Sequence, residues 1–161
     1  MPYETKYDKE QKVKQLFGLV LAFCIAPAQA QVTQQVASGP IRFNDVQQER
    51  GAPQQVIKLG GKIEVVFNLS ALTDGKGHEL IDAPSEAINK TASKLHYVAH
   101  VALFDEEKNL IAVLGSEDVF SSGVSPNRNY QFATRAVVPP GRSREIRSYQ
   151  ATLFVSTGPL Q

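Results

Sequence analysis

Residues 62–72, KIEVVFNLSAL, alternate between apolar and polar side chains, with Val66 and Leu72 as the two exceptions. In an extended chain the apolar side chains of one face are Ile63, Val65, Phe67 and Leu69. A period of two is the pattern of a half-buried β-strand, whereas an amphipathic helix has a period near 3.6. Turn-forming pairs flank the segment at residues 60–61 and 74–75. The sequence therefore predicts a strand here that buries one face.

The stretch LHYVAHVALF, residues 95–104, contains His96 and His100, whose spacing would suit a zinc ion on a helix. Alternation predicts a strand instead, because one face is then wholly apolar while His96, His100 and Phe104 share the other. Residues four apart in a strand lie roughly 13 Å apart, which is too far for two ligands of one zinc ion. We therefore expect two exposed histidines on a sheet and no metal site.

Other segments repeat this pattern between turn signals. Strands are predicted at residues 39–47, 55–59, 110–115, 130–138 and 144–156. The segment Pro84–Leu95 is predicted to be a short helix capped by Ser85, or a loop. About seven short strands without a βαβ rhythm predict an all-β fold. The expected architecture is a single antiparallel β-sandwich of immunoglobulin-like type, and the alternative is a small β-barrel.

The first thirty residues have the layout of a secretory signal peptide. A lysine-containing head precedes an apolar run from Leu16 to Ala26, and residues 28–30, AQA, match the small-x-small cleavage pattern. The run is shorter than the ~20 residues of a membrane span. We therefore expect cleavage near Ala30, which leaves residues 31–161 as one sandwich domain without a transmembrane anchor.

Two details of this segment refine the expectation. Phe23 precedes Cys24, whereas a lipid-attachment signal has a small residue there, so we expect no lipid anchor. The head carries acidic residues, which favours Val13 as an alternative start. With no cysteine after residue 30, the sequence predicts export to the periplasm or the extracellular space, since disulfides are frequent in other secreted domains.

Charge and motifs narrow the function. Removing residues 1–30 lowers Lys+Arg from 17 to 13 and Asp+Glu from 16 to 13. The remaining chain has no excess of basic residues, so we expect no nucleic-acid partner. The sequence has no G-x-S-x-G, H-E-x-x-H, Walker or G-x-G-x-x-G motif. We therefore expect no enzyme activity and no cofactor.

Binding is the remaining class of function. Two groups of side chains are candidates for a recognition surface: His96, His100 and Phe104 on one strand, and an arginine patch formed by Arg135, Arg144 and Arg147. If Leu153 points inward, Phe154 points outward as a further apolar contact. Alternatively, the connection over residues 73–94 covers the outward side of the sheet that carries these aromatic side chains. The charged residues would then form ordinary solvated surfaces.

The leading hypothesis is an exported, non-enzymatic sandwich that recognises a protein or glycan of the cell envelope or the extracellular space. An alternative is a carbohydrate or small-ligand module with a pocket lined by Tyr97, Tyr130 or Tyr149. Another is a fibre or surface-structure subunit that donates the N-terminal segment QVTQQVA, residues 31–37, and has a disordered N-terminus as a monomer. The sequence leaves the partner, the strand order and the oligomeric state open.

Overall fold

The structure, a computed structural model, describes residues 31–117 and 123–160. The predicted signal peptide, its cleavage near Ala30 and the alternative start at Val13 lie outside the described residues. Within the described ranges, no helix is long and apolar enough to cross a membrane.

Eight β-strands and one short 3-10 helix at Arg142–Glu145 make up the regular structure of the described residues. The strands are β1 (Val32–Pro40), β2 (Gln55–Leu59), β3 (Ile63–Thr73), β4 (Glu79–Asn89), β5 (His96–Phe104), β6 (Leu110–Glu117), β7 (Asn129–Val138) and β8 (Ser148–Ser156). The predicted strands at residues 55–59, 62–72, 95–104, 110–115 and 130–138 correspond to β2, β3, β5, β6 and β7, within a residue or two at their ends.

Two four-stranded antiparallel sheets form the sandwich. The first sheet has the order β1-β8-β5-β6, and the second has the order β2-β3-β4-β7. The predicted β-sandwich is confirmed, with eight strands instead of about seven. The two sheets remain separate in the described part of the chain, so the closed small barrel is not the fold.

The core lies between the two sheets and is formed by the inward faces that the alternation predicts. Tyr97, Val101 and Leu103 of β5 are fully buried, and they share the core with Phe67 of β3 and Leu153 of β8. Burying a side chain of this size contributes about 1.5–3 kcal/mol each. The Tyr97 hydroxyl is 2.9 Å from the hydroxyl of Ser116, so its polar end is satisfied inside the core.

The helix predicted at Pro84–Leu95 is wrong, because residues 79–89 form the central strand β4. Proline normally argues against a central strand because it lacks a backbone N–H. Here the register between β3 and β4 has no pair at Pro84, while β7 pairs with β4 continuously on the other side. The Ser85 hydroxyl donates to the carbonyl of Phe132 on β7 instead of capping a helix.

Two strand boundaries also differ from the predictions. The strand expected at residues 39–47 is wrong, since β1 ends at Pro40 and the following chain has only a single bridge, from Gln47 to Leu72. Ile41 and Phe43 are nevertheless buried, which explains the apolar pattern of this segment. The strand expected from residue 144 begins at Ser148, because the chain first turns through the 3-10 helix.

Glu79 holds the start of that 3-10 helix against β4. Its carboxylate accepts hydrogen bonds from the backbone N–H groups of Gly141 at 2.7 Å and Ser143 at 2.9 Å. Burial alone would raise the pKa of Glu79, but the hydrogen bonds from Ser143 and Gly141 outweigh it and lower the pKa below 4.5. A carboxyl with a lowered pKa in the folded state stabilises the fold above pH 4.5 and loses that contribution as the pH falls further.

Replacing Glu79 with glutamine is therefore expected to lower the free energy of unfolding by about 1–3 kcal/mol at pH 7, because two charge-assisted hydrogen bonds are weakened. The difference from the wild type should shrink as the pH falls through the lowered pKa of Glu79. Urea unfolding at pH 7 and pH 3 measures both effects, with Glu106→Gln on an exposed turn as the control. A pH-independent difference would show that the Glu79 charge does not stabilise this helix.

Candidate functional site

The outward side chains of the first sheet form one surface, which we call the uncharged face because none of the side chains that define it is Asp, Glu, Lys or Arg. Glu117, the last residue of β6, lies opposite Val98 at the margin of this face and is not counted among its members. Its members are Val32, Gln34, Val36, Ser38, Pro40, Val98, His100, Ala102, Phe104, Leu110, Val113, Gly115, Ser148, Gln150, Thr152 and Phe154. Burial of the alternate residues on β5 and β8 fixes this orientation.

Several apolar side chains of the uncharged face are open to solvent. Val36, Leu110 and Val113 are 56%, 56% and 50% exposed. The alternative that the 73–94 connection covers this face is wrong, because half of that segment forms β4 in the opposite sheet. Exposed apolar side chains that form a patch mark interaction sites on many proteins.

Strand pairing places one row of the uncharged face across its middle. Val36 of β1 lies opposite Thr152 of β8, which in turn lies opposite His100 of β5. His100 is paired with Gly115 of β6, where an added Cβ would lie 3.3 Å from the Cδ2 atom of the imidazole. The imidazole therefore lies over the glycine, and the row has no bulky side chain at its β6 end.

The outer face of the second sheet has a different character, because ion pairs occupy it. The Glu64 carboxylate binds Lys58 at 3.0 Å and Lys90 at 2.5 Å, and the hydrogen bonds from Lys90 and Lys58 lower the pKa of Glu64. Asp82, which is fully buried, accepts hydrogen bonds from the Nε atoms of Arg50 and Arg135, both at 2.7 Å. Val56 and Val137 are also exposed on this face, so the two outer faces differ in the ion pairs that the second sheet carries.

The predicted site residues of β5 fall into two environments. His100 and Phe104 lie on the uncharged face, as the alternation predicts. The prediction of an exposed His96 is wrong, since its side chain is only 7% exposed. Gly123 packs against it, and a Cβ at Gly123 would lie 3.1 Å from the imidazole. Gly123 is distant in sequence from His96, so the local alternation does not report this contact.

The three predicted arginines lie on different elements. Arg135 is on β7 in the second sheet, where Asp82 binds it. Arg144 lies in the 3-10 helix, and Arg147 immediately precedes β8. The Arg147 guanidinium donates to the backbone carbonyls of Arg144 at 2.5 Å and Ile146 at 2.9 Å. Arg147 is the arginine of the three that lies at the end of the uncharged face.

A groove of about 560 Å³ lies at the end of the uncharged face, where β1 and β5 end and β8 begins. Phe104, Lys108, Arg147 and Tyr149 line it together with main-chain and small side chains. Apart from the Tyr149 phenol, the ionisable side chains that line the groove are those of Lys108 and Arg147, and both are cationic. A carboxylate flanked by apolar groups therefore matches its chemistry.

Sequence reasoning did not identify Lys108, which lies in the β5–β6 turn of residues 105–109, as a groove residue. Asp105 closes this turn, because its carboxylate accepts the backbone N–H of Asn109 at 2.7 Å. Lys108 has a φ of 67°, an uncommon left-handed conformation outside glycine. The Lys108 ammonium donates to the Ser148 hydroxyl at 3.0 Å, which holds it at the groove.

The three tyrosines that were proposed to line one pocket also lie in different places. Tyr97 is fully buried in the packed core, and Tyr130 packs against the core. Tyr149 alone of the three lines the groove described above. A ligand pocket between the sheets that uses Tyr97 is therefore not part of this fold.

Chemistry-bearing side chains do not converge in the described ranges. Residues 31–117 and 123–160 contain no group of three or more His, Cys, Asp or Glu side chains arranged to hold a metal ion. His78 contacts Asp74 at 2.9 Å on the exposed β3–β4 turn, and this hydrogen bond lowers the pKa of Asp74. Asp74 also accepts the backbone N–H groups of Lys76 and His78, so the pair closes a turn.

No protein-family model and no curated protein matches the chain. Two solved structures show a weak likeness. One is the Northeast Structural Genomics Consortium target SoR45, with 13% identity, 66% of this chain and 62% of that chain covered, and a TM-score of 0.29. The other is a structure of infectious bursal disease virus, Gx strain, with 8% identity, 80% of this chain and 28% of that chain covered, and a TM-score of 0.35. Both alignments span less than two thirds of the matched structure and give no indication of function.

Proposed function

We propose that the protein is an exported, non-enzymatic recognition protein that binds another protein of the cell envelope or the extracellular space through the uncharged face. The observation that carries this proposal is the contrast between the two outer faces. One carries the ion pairs of Glu64 and Asp82 beside exposed Val56 and Val137, whereas the other exposes Val36, Leu110 and Val113 without a charge between them. Export remains an expectation from the first thirty residues.

The size of the uncharged face suits a small, transient protein interface. His96 and Ser156 are buried at one end of the sheet, so the open face runs over seven residues of β5 and of β8. At about 4.8 Å between strands and 3.3 Å per residue, this open part measures roughly 19 Å by 23 Å, or about 440 Å². A matching surface on a partner raises the total buried area to about 900 Å², in the range of weak signalling contacts below ~1,200 Å².

The groove would fix the orientation of a partner that otherwise makes apolar contacts with the uncharged face. Phe104 and Tyr149 offer ring surfaces, and Lys108 and Arg147 offer hydrogen-bond donors for an acidic side chain of the partner. In this arrangement, apolar burial supplies most of the affinity, and the cationic groove selects one orientation of the partner.

The experiment is capture from the native host with a C-terminal tag after Gln161, crosslinking and mass spectrometry. We expect one defined protein that rebinds the purified chain directly and at constant stoichiometry. Capture of a glycan or a small ligand alone, or of no partner, would contradict recognition of a protein. The same spectra report the mature N-terminus, which the sequence predicts to be Gln31.

A further inference from the structure

Strand β1 is attached to the rest of the sandwich almost entirely through its backbone. It pairs with β8 over nine residues, from Val32 opposite Ser156 to Pro40 opposite Ser148. Seven of its nine side chains are exposed, and the other two residues, Ala37 and Gly39, are only half-buried. The fibre hypothesis predicts disorder in this segment, whereas the structure shows an ordered but sparsely packed edge strand.

The small side-chain contribution lowers the free energy needed to detach β1. Regions with few buried apolar contacts open more readily than the core they lie on. Its partner β8 is held independently, because β5 pairs with the other edge of β8 and Ala151 and Leu153 are fully buried. Strand β1 is therefore able to leave while β8 and the core stay folded.

The chain after β1 contains both a hinge and an anchor. Ile41 and Phe43 are buried, and the Ile41 N–H donates to the Arg147 carbonyl at 3.0 Å. These contacts keep the connection to β2 in place when β1 detaches. The change of direction then falls at Pro40, where the missing N–H means that no backbone hydrogen bond from that nitrogen has to break.

Detachment of β1 leaves an open edge on β8 that another β1 matches. An unpaired strand edge presents a row of N–H and C=O groups to any extended segment. The segment that fits best is β1 of a second copy, since it brings the same register of nine pairs. Residues 32–40, VTQQVASGP, contain no charge that would repel a neighbouring copy, although charged residues are the common protection of an edge strand.

We propose that β1 is an exchangeable strand, which pairs with β8 of a second copy of this chain and links the copies non-covalently. Exchange replaces each β1–β8 pair with the same pair in trans, so concentration decides between the two arrangements. This inference does not rest on the proposed function, because the uncharged face keeps all its side chains when β1 is supplied by another copy.

The test uses full-length chains with Cys24→Ser and one added cysteine each. One chain carries Val36→Cys and the other carries Thr152→Cys, two positions that face each other in the β1–β8 register. The chains are mixed, incubated at high concentration and treated with a short bis-maleimide. We expect covalent heterodimers in at least tenfold excess over a control mixture of Val113→Cys and Thr152→Cys chains.

Val113 is a matched control because it is 50% exposed on the same face, against 56% for Val36, but lies on β6. Random collisions and face-to-face docking would link both mixtures equally, and that result would overturn the proposal. A single chain carrying Val36→Cys and Thr152→Cys confirms that the linker spans the pair. Linkage within that chain, with no heterodimer in the mixture even after joint refolding at high concentration, would likewise overturn strand exchange.

Discussion

Placing two aspartates on the uncharged face, Val36→Asp and Val113→Asp, is expected to weaken binding of the captured partner at least 100-fold. Both side chains are at least half exposed in the free protein, so the carboxylates remain hydrated there. Binding would strip water from them without supplying a cation, and burying an unpaired charge costs several kcal/mol. A 100-fold loss corresponds to about 2.7 kcal/mol, well within that cost.

The second sheet supplies a matched control for this prediction. Val56 and Val137 are 58% and 72% exposed on the opposite outer face, so Val56→Asp with Val137→Asp carries the same chemical change. We expect this control pair to leave the dissociation constant within about twofold of the wild type. Equal losses from both pairs, measured by calorimetry with the purified partner, would show that the uncharged face is not the binding surface.

Removing both cations around Asp82 is expected to produce the largest loss of stability among these variants. Asp82 is fully buried, and Arg50 and Arg135 each approach one of its carboxylate oxygens. The double variant Arg50→Gln with Arg135→Gln leaves a buried carboxylate without a countercharge, which lowers the free energy of unfolding by about 3–5 kcal/mol. Each single variant retains one arginine, so its loss should be much smaller than half of the combined loss.

Adding Asp82→Asn to the double variant distinguishes charge from packing. Asparagine keeps the shape of Asp82 but carries no charge, so it should recover a large part of the lost stability. Urea unfolding of the wild type and these four variants measures the coupling between the two arginines and the recovery that Asp82→Asn brings. Additive single losses without recovery by Asp82→Asn would contradict a buried carboxylate that depends on both arginines.

The elements that the sequence predicts well are those with an apolar side chain at every second residue along one face. Strands β3 and β5 have this pattern, and their inward residues Phe67 and Tyr97 are buried as expected. Strand β4 was missed because Pro84 stands in a central strand, and its tolerance there depends on a gap in the register with β3. Local pattern does not report such a gap, since it is a property of two neighbouring strands.

The candidate site was only partly predictable for a similar reason. Alternation places His100, Phe104 and Phe154 on the outward side of their strands, which the structure confirms. The face itself depends on β1 lying beside β8 and on β8 lying beside β5. These neighbours are distant in sequence, so their shared lack of charge becomes visible only when the strand order is known.

Site-specific photo-crosslinking in the native host tests the central claim most directly. A photoreactive amino acid is placed at Val113 on the uncharged face in one chain and at Val56 on the opposite outer face in another, two valines of similar exposure. The proposed function predicts that the captured partner is linked from position 113 and not from position 56. Linkage of that partner from position 56 alone, or equally from both, would contradict recognition through the uncharged face.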